Sequence, residues 1–256
     1  VATAFCVEAL IESYKITQDE SVLNTALSSA EFVLKDLSRT AHGNGHIFSY
    51  SVKDGNNTVI NASLLGAKIL SYAYKYKQKQ TYLEMAKRAV VAACDLQEDD
   101  GSWIYGLLPV QSWKDSFHTG FNLDAIETYQ QNTDDTTFQE YIDKGWKYYT
   151  AHFFEADGKP KYYHDKTYPI DIHCPAQVIV TASKLNQFKA HLALLERTLN
   201  WTIENMQSKK GYFYYQYRQG ISSKIPYMRW SNAFMFNAMA HYYLEKTNNH
   251  GVASLK

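Results

Sequence analysis

The strongest constraint on this chain is a repeat. Gly45, Gly101, Gly158 and Gly211 are separated by 56, 57 and 53 residues. Each follows a stretch with one apolar face. Each is followed in turn by aromatic residues, a long loop, a very apolar stretch, a short polar turn and another one-faced stretch. Regular spacing on this scale means stacked helical hairpins, because one hairpin cannot bury its own apolar face and needs a neighbour on each side.

Periodicity supplies the helices. Val22, Ala26, Ala30, Val33 and Leu37 recur at steps of three and four, which puts them on one face of a helix over 21–37. The same reasoning predicts helices over 3–15, 58–76, 81–96, 119–131, 176–185 and 231–244, one near 138–154 and one through Leu192, Leu195, Leu199 and Met206. Residues 40–57, which hold Gly43, Gly45 and Gly55, read as a loop, and the tail after Lys246 as frayed. The helices are of two kinds. Those that are apolar nearly all round should be buried on every side, and the striped ones should keep a wet face. An inner ring of the first inside an outer ring of the second satisfies both, as a single domain over 1–256.

Composition removes several classes of function. The chain has 256 residues, 26 basic and 26 acidic, so its formal net charge is zero. A nucleic-acid binder needs a basic footprint, and none is expected here. No apolar run is long enough to span a membrane. Cys6, Cys94 and Cys174 are too few and too scattered for a disulfide framework. That points to a reducing, cytoplasmic setting. The 21 tyrosines suit flat hydroxylated ligands such as sugar rings, or else simply fill helix seams. The chain opens like the middle of a helix, so one or more N-terminal hairpins are expected outside the numbered residues.

The segment Gln97-Glu98-Asp99-Asp100-Gly101-Ser102-Trp103 resembles the Gln-Trp-type repeat of the α/α-toroid superfamily, with a weaker echo from Met206-Gln207 to Gly211-Tyr212-Phe213. The run from Trp113 to Asp124, with Asp171-Ile172-His173 and Arg229-Trp230-Ser231-Asn232, is also similar to toroid proteins of bacterial polysaccharide gene clusters. The resemblance implies an all-α fold, an α/α toroid with four to five hairpins visible, as an incomplete (α/α)6 barrel. A closed ring of six would need about 330 residues at this period. The superfamily includes six-hairpin glycosidases, uronate epimerases, polysaccharide lyases, terpene cyclases and protein prenyltransferases. It implies a carbohydrate-active protein of polysaccharide metabolism or biosynthesis, as a hydrolase, lyase or epimerase. The alternatives are a non-catalytic glycan-binding or scaffold partner, and an isoprenoid-type enzyme.

The candidate site lies in the long loops before the inner helices, since loops on a rigid scaffold collect binding groups. Asp115 and Asp171 come one repeat apart. They could serve as the paired carboxylates of glycoside chemistry, or as helix caps. His118 and His173 hold matching places and could transfer protons. Trp103, Tyr105, Trp113, Tyr163, His164, Tyr227 and Trp230 would hold a saccharide. Arg229, with the helix N-termini, would suit an acidic group on it, or would pair with Asp115 or Asp171. Asp124 sits in an apolar helix and must be paired or face a cavity. Asp171, His173, Cys174 and His118 match zinc by residue type. However, Asp171-Ile172-His173 departs from the Asp-x-Cys pair of prenyltransferase-type toroids, so no metal and no cofactor is expected.

Overall fold

The computed structural model describes residues 1–53 and 56–250. Among them are nine α-helices: α1 (Ala2–Thr17), α2 (Glu20–Asp36), α3 (Ile60–Lys77), α4 (Gln80–Asp95), α5 (Ser116–Thr133), α6 (Gln139–His152), α7 (His173–Lys184), α8 (Leu192–Met206) and α9 (Phe234–His250). Two short antiparallel pairs accompany them. Strands β1 (Arg39–His42) and β2 (Gly45–Phe48) form a hairpin, and β3 (Ile170–Asp171) pairs with β4 (Gln216–Tyr217). The chain divides into two compact units. The first holds Val1–Trp113 and Ala125–Gly145, and the second holds Lys114–Asp124 and Trp146–Lys256.

The helices are of the two expected kinds. In α3 every residue from Ile60 to Ala73 is buried, and α7 is buried from Cys174 to Ala182. Helix α2 buries a single stripe through Leu23, Ala26, Leu27, Ala30 and Val33. Helix α9 departs from expectation. Its Phe236, Met239, Tyr243 and Leu244 are exposed, so it is not covered all round by the described residues.

Two backbone devices repeat. The turns between the helices of a pair each use one residue in the left-handed region without glycine: Gln18, Gln78, Asp134 and Asn186, with φ between 52° and 58°. In the first three, that residue's N–H closes on the carbonyl four residues back, which satisfies a helix-end acceptor. The longer links use glycine. Gly101, Gly158 and Gly211 all sit at φ near 90°, and each N–H bonds a carbonyl three residues earlier, on Glu98, Glu155 and Ser208. Gln97 and Gln207 then donate side-chain bonds to the carbonyls of Gly101 and Gly211.

Gly45 is a correction to this pattern. The left-handed glycine of the first repeat is Gly43, at φ 52°, and Gly45 opens β2. The stretch read as a loop therefore contains a hairpin. What Gly45 shares with its counterparts is close approach to a helix. An added Cβ would meet the carbonyl oxygen of Arg88 on α4 at 2.1 Å, as one at Gly101 would meet that of Lys144 on α6 at 2.4 Å. At Gly158 the clash is with Arg197 on α8, and at Gly211 nothing lies within 4 Å.

Three expectations concern the ends and gaps. Helix α9 continues to His250, past the expected stop near Leu244, so 247–250 are helical. Gly55 and residues 251–256 lie outside the described residues. No helix among the described residues is long and apolar enough to cross a membrane.

Candidate functional site

The site is built at the entrances of α5 and α7, both in the second unit. Just before α5, Asp115 bridges Tyr163 in antiparallel fashion, and Ser116 N–H donates to the Tyr162 carbonyl at 2.9 Å. Just before α7, Asp171 pairs with Gln216, and Ile172 N–H donates to the Tyr215 carbonyl at 3.1 Å. Tyr162 and Tyr215 each stand four residues after the turn glycine, Gly158 or Gly211. The repeat therefore delivers both carboxylates to equivalent backbone positions.

Each carboxylate holds a histidine. Asp115 accepts the backbone N–H of His118 at 3.0 Å, and its two oxygens lie 2.9 and 2.8 Å from His118 Nδ1. Asp171 accepts the His173 backbone N–H at 3.0 Å and lies 2.6 Å from its Nδ1. The other Asp171 oxygen accepts from Gln216 Nε2 at 3.4 Å. Both carboxylates are 2% exposed, whereas the imidazoles keep 20% and 13% of their side-chain surface in solvent. A carboxylate on Nδ1 favours the tautomer protonated there, which directs Nε2 outward as the acceptor. The two pairs meet at one ring. Phe117 lies 4.3 Å from the His118 ring and 5.1 Å from the His173 ring, and Phe234 of α9 packs 4.4 Å from His173.

This arrangement reorders the expected roles. The carboxylates of Asp115 and Asp171 accept backbone N–H groups at the starts of α5 and α7 and also lie behind the imidazoles, so the partly exposed member of each pair is the histidine. The surrounding phenols stay protonated. Burial, and then the charge of Asp115, raise the Tyr162 phenol well above its usual range. Burial, and then the charge and hydrogen bond of Asp171, also raise the Tyr215 phenol. Burial likewise pushes the Cys174 thiol up, with Asp171 adding to it. A thiol kept protonated is a poor metal ligand. No group of three or more His, Cys, Asp or Glu among the described residues is placed to hold a metal ion.

An aromatic wall adjoins the Asp171–His173 pair. Tyr215 lies 5.3 Å from Tyr227 and 6.1 Å from Trp230, and those two rings are 5.3 Å apart. Tyr227 and Trp230 are 37% and 43% exposed. They are presented by a π-helical turn, Met228–Ala233, in which Ser231 and Asn232 both donate to the Tyr227 carbonyl. Arg229 is exposed and lies over the Trp230 ring at 5.4 Å. It pairs with neither Asp115 nor Asp171, so the structural-bridge alternative fails. Tyr163 packs on Tyr162 at 4.4 Å and carries the Lys166 ammonium over its ring. His164 is half-buried, and its carbonyl accepts from Lys161 Nζ at 2.8 Å.

Two expected binding residues are structural instead. Trp103 is 2% exposed and its indole N–H donates to the Ala93 carbonyl at 2.8 Å, inside the first unit. A ring enclosed on both faces cannot stack on a sugar. Asp124 is buried and accepts from Gln177 Nε2 at 3.0 Å, with Lys184 Nζ at 3.4 Å, so it ties α5 to α7. Tyr105 and Trp113 stack on each other at 4.7 Å and 11° in the first unit, both part-exposed. Phe117, Phe234 and Tyr215 were not singled out by the sequence reading. Tyr215 could have been, because it repeats Tyr105 and Tyr162 at a constant offset from the turn glycine.

No protein-family model matches the sequence, and no curated protein matches it. Solved structures do. A GH76 α-mannanase of Bacteroides thetaiotaomicron superposes with a TM-score of 0.70 at 14% identity, covering 97% of this chain and 70% of that one. A cellobiose 2-epimerase from Bacillus thermoamylovorans gives 0.71 at 13%, covering 96% and 71%. An unsaturated glucuronyl hydrolase from a Bacillus species gives 0.66 at 12%, covering 94% and 72%. The fold is thus an α/α toroid.

Proposed function

We propose that this chain is a carbohydrate-active enzyme that moves protons on a saccharide through His118 and His173. The observation that carries the reading is the pair of buried carboxylates, each fixed on an imidazole Nδ1, with both imidazoles against Phe117. A neutral imidazole takes a proton at Nε2, and the carboxylate behind it stabilises the imidazolium that forms. The other imidazole, in its protonated form, returns one. That division of labour suits an epimerase or lyase, which must break a C–H bond. It suits a hydrolase less, because direct glycoside hydrolysis uses two carboxylates facing the bond, and both of these are engaged elsewhere. The fold's likeness to a cellobiose epimerase, a mannanase and a glucuronyl hydrolase supports a saccharide as the ligand.

The test is turnover in deuterated water of neutral and acidic oligosaccharides. The expected result is deuterium on a ring carbon of recovered sugar, or an unsaturated product, both lost in His173→Ala and His118→Ala. Release of reducing ends without deuterium would replace proton transfer by hydrolysis. Binding without any turnover would favour the second reading, a glycan-binding protein, for which the exposed Tyr227 and Trp230 rings are the specific support.

A further inference from the structure

Three helices have their entrances in the second unit, and the entrances differ in chemistry. Those of α5 and α7 carry a carboxylate in hydrogen-bond contact with a histidine Nδ1. That of α9 carries a cation. Arg229 sits on the π-helical turn with Tyr227, Met228 and Trp230, all exposed, and no acidic side chain among the described residues pairs with it. Its guanidinium lies over the Trp230 ring, a contact that leaves its N–H donors unused. The position is tied to the reacting pair from two sides. Tyr215 touches Trp230 and Tyr227 through its ring and Asp171 through its phenol. Phe234, four residues after Trp230, packs on His173.

We propose that Arg229 and Trp230 form a subsite for a uronate residue, so that the saccharide taken by this chain is acidic. The Trp230 and Tyr227 rings hold the sugar face, and the guanidinium donates two N–H bonds to its carboxylate in a fork. A π-helical turn is rare in a helix and recurs at functional sites, since it turns side chains outward that an α-helical register would not. Here the side chains it exposes are the ones an acidic sugar needs. This assignment rests on the saccharide reading above and adds the charge of the ligand to it.

The experiment is a tryptophan-fluorescence and calorimetric titration of the chain with uronate disaccharides and their carboxyl-reduced, neutral counterparts, with acetate and inorganic phosphate as further arms. The expected result is a preference for the uronate of about tenfold or more that weakens with salt. Arg229→Met removes the preference by weakening the uronate far more than the neutral sugar, Arg229→Lys keeps part of it, and Trp230→Ala weakens both sugars. Equal affinity of the unaltered chain for the two forms overturns the acidic subsite and leaves the saccharide reading standing. A preference that survives in Arg229→Met overturns the assignment to Arg229. Acetate or phosphate binding as tightly as the uronates shows an anion site without a sugar and also overturns it. Binding of no saccharide at all removes the saccharide reading first, and this inference with it.

Discussion

The entrance of α3 in the first unit and those of α5 and α7 in the second have the same backbone and different chemistry. Ile60 N–H donates to the Tyr105 carbonyl, as Ser116 does to Tyr162 and Ile172 to Tyr215. The residue before Ile60 is Val59. It is 1% exposed and extended, and gives its helix no side-chain cap. The matching residues in the second unit are Asp115 and Asp171. A position that accepts valine asks only for something buried. Capping explains one hydrogen bond per aspartate, to the backbone of His118 or His173. It does not explain why a costly buried carboxylate also holds an imidazole. The comparison isolates Asp115, His118, Asp171 and His173 as residues the repeat does not need.

The sharpest test is to give α5 and α7 the entrance of α3. Asp171→Val and Asp115→Val should keep the helical circular dichroism signal and cost no more than about 2 kcal/mol in thermal or denaturant unfolding, the scale of a lost cap. Turnover should fall by about 10²–10⁴-fold, the usual worth of a positioned acid or base. Near-normal turnover in Asp171→Val would leave the two carboxylates as structure and break the contrast with Val59.

One tryptophan from each unit, Trp103 and Trp230, extends the contrast to aromatic residues. Trp103→Ala empties a fully enclosed position of the first unit and should cost about 3–5 kcal/mol on chemical denaturation. Trp230→Ala, at a half-exposed ring, should stay within about 1 kcal/mol while weakening ligand binding. If the stabilities reversed, the division between a core aromatic and a surface one would be wrong.

Those two tryptophans show where sequence reasoning stops. Spacing alone locates the glycines, the alternation of buried and striped helices, and the placing of Asp115, His118, Asp171 and His173 at helix starts, because each follows from chain period. Depth is not periodic. Nothing local distinguishes Trp103, whose indole reaches the end of α4, from Trp230, lifted outward by a π-helical turn. Asp124 is similar. An acid in an apolar helix must have a partner, but Gln177 and Lys184 lie 53 and 60 residues away and only packing brings them to it. The β1–β2 hairpin was hidden because Gly43 and Gly45 both fit a loop, and only the fold shows which one turns the chain.

The glycines extend the comparison from side chains to backbone. Gly158 and Gly211 share a left-handed φ near 90°, so alanine at either should be strained by about 1 kcal/mol. At Gly158 the new Cβ also meets the backbone of Arg197 at 2.5 Å, and at Gly211 it meets nothing within 4 Å. Gly158→Ala should therefore lose about 2–4 kcal/mol and Gly211→Ala about 1. Equal losses would mean that conformation, and not helix approach, makes these positions glycine.

The smallest effect concerns how each unit treats histidine. In the second unit two imidazoles rest on carboxylates. In the first, His46 is buried edge-on to Phe48 with no such partner. Burial, then the charges of Arg88 and Arg39, lower it from 6.5 to about 4. The unfolded chain therefore takes up this proton near pH 6.5 while the folded chain resists until about 4. Its contribution to stability is complete above pH 6.5, falls as the pH drops through that window, and is flat below. Asp135 acts in a lower one. Despite the opposing effect of its burial, hydrogen bonds from Thr137 and Lys87 hold it at about 2 against 3.8 unfolded, so its contribution is present above 3.8 and is lost toward 2. Denaturation at a series of pH values should show a loss of about 1–2 kcal/mol between 6.5 and 4, reduced from the full shift by solvent screening. His46→Gln should flatten that step and leave the one below pH 3.8 in place. A step that persists in His46→Gln would overturn its assignment to His46.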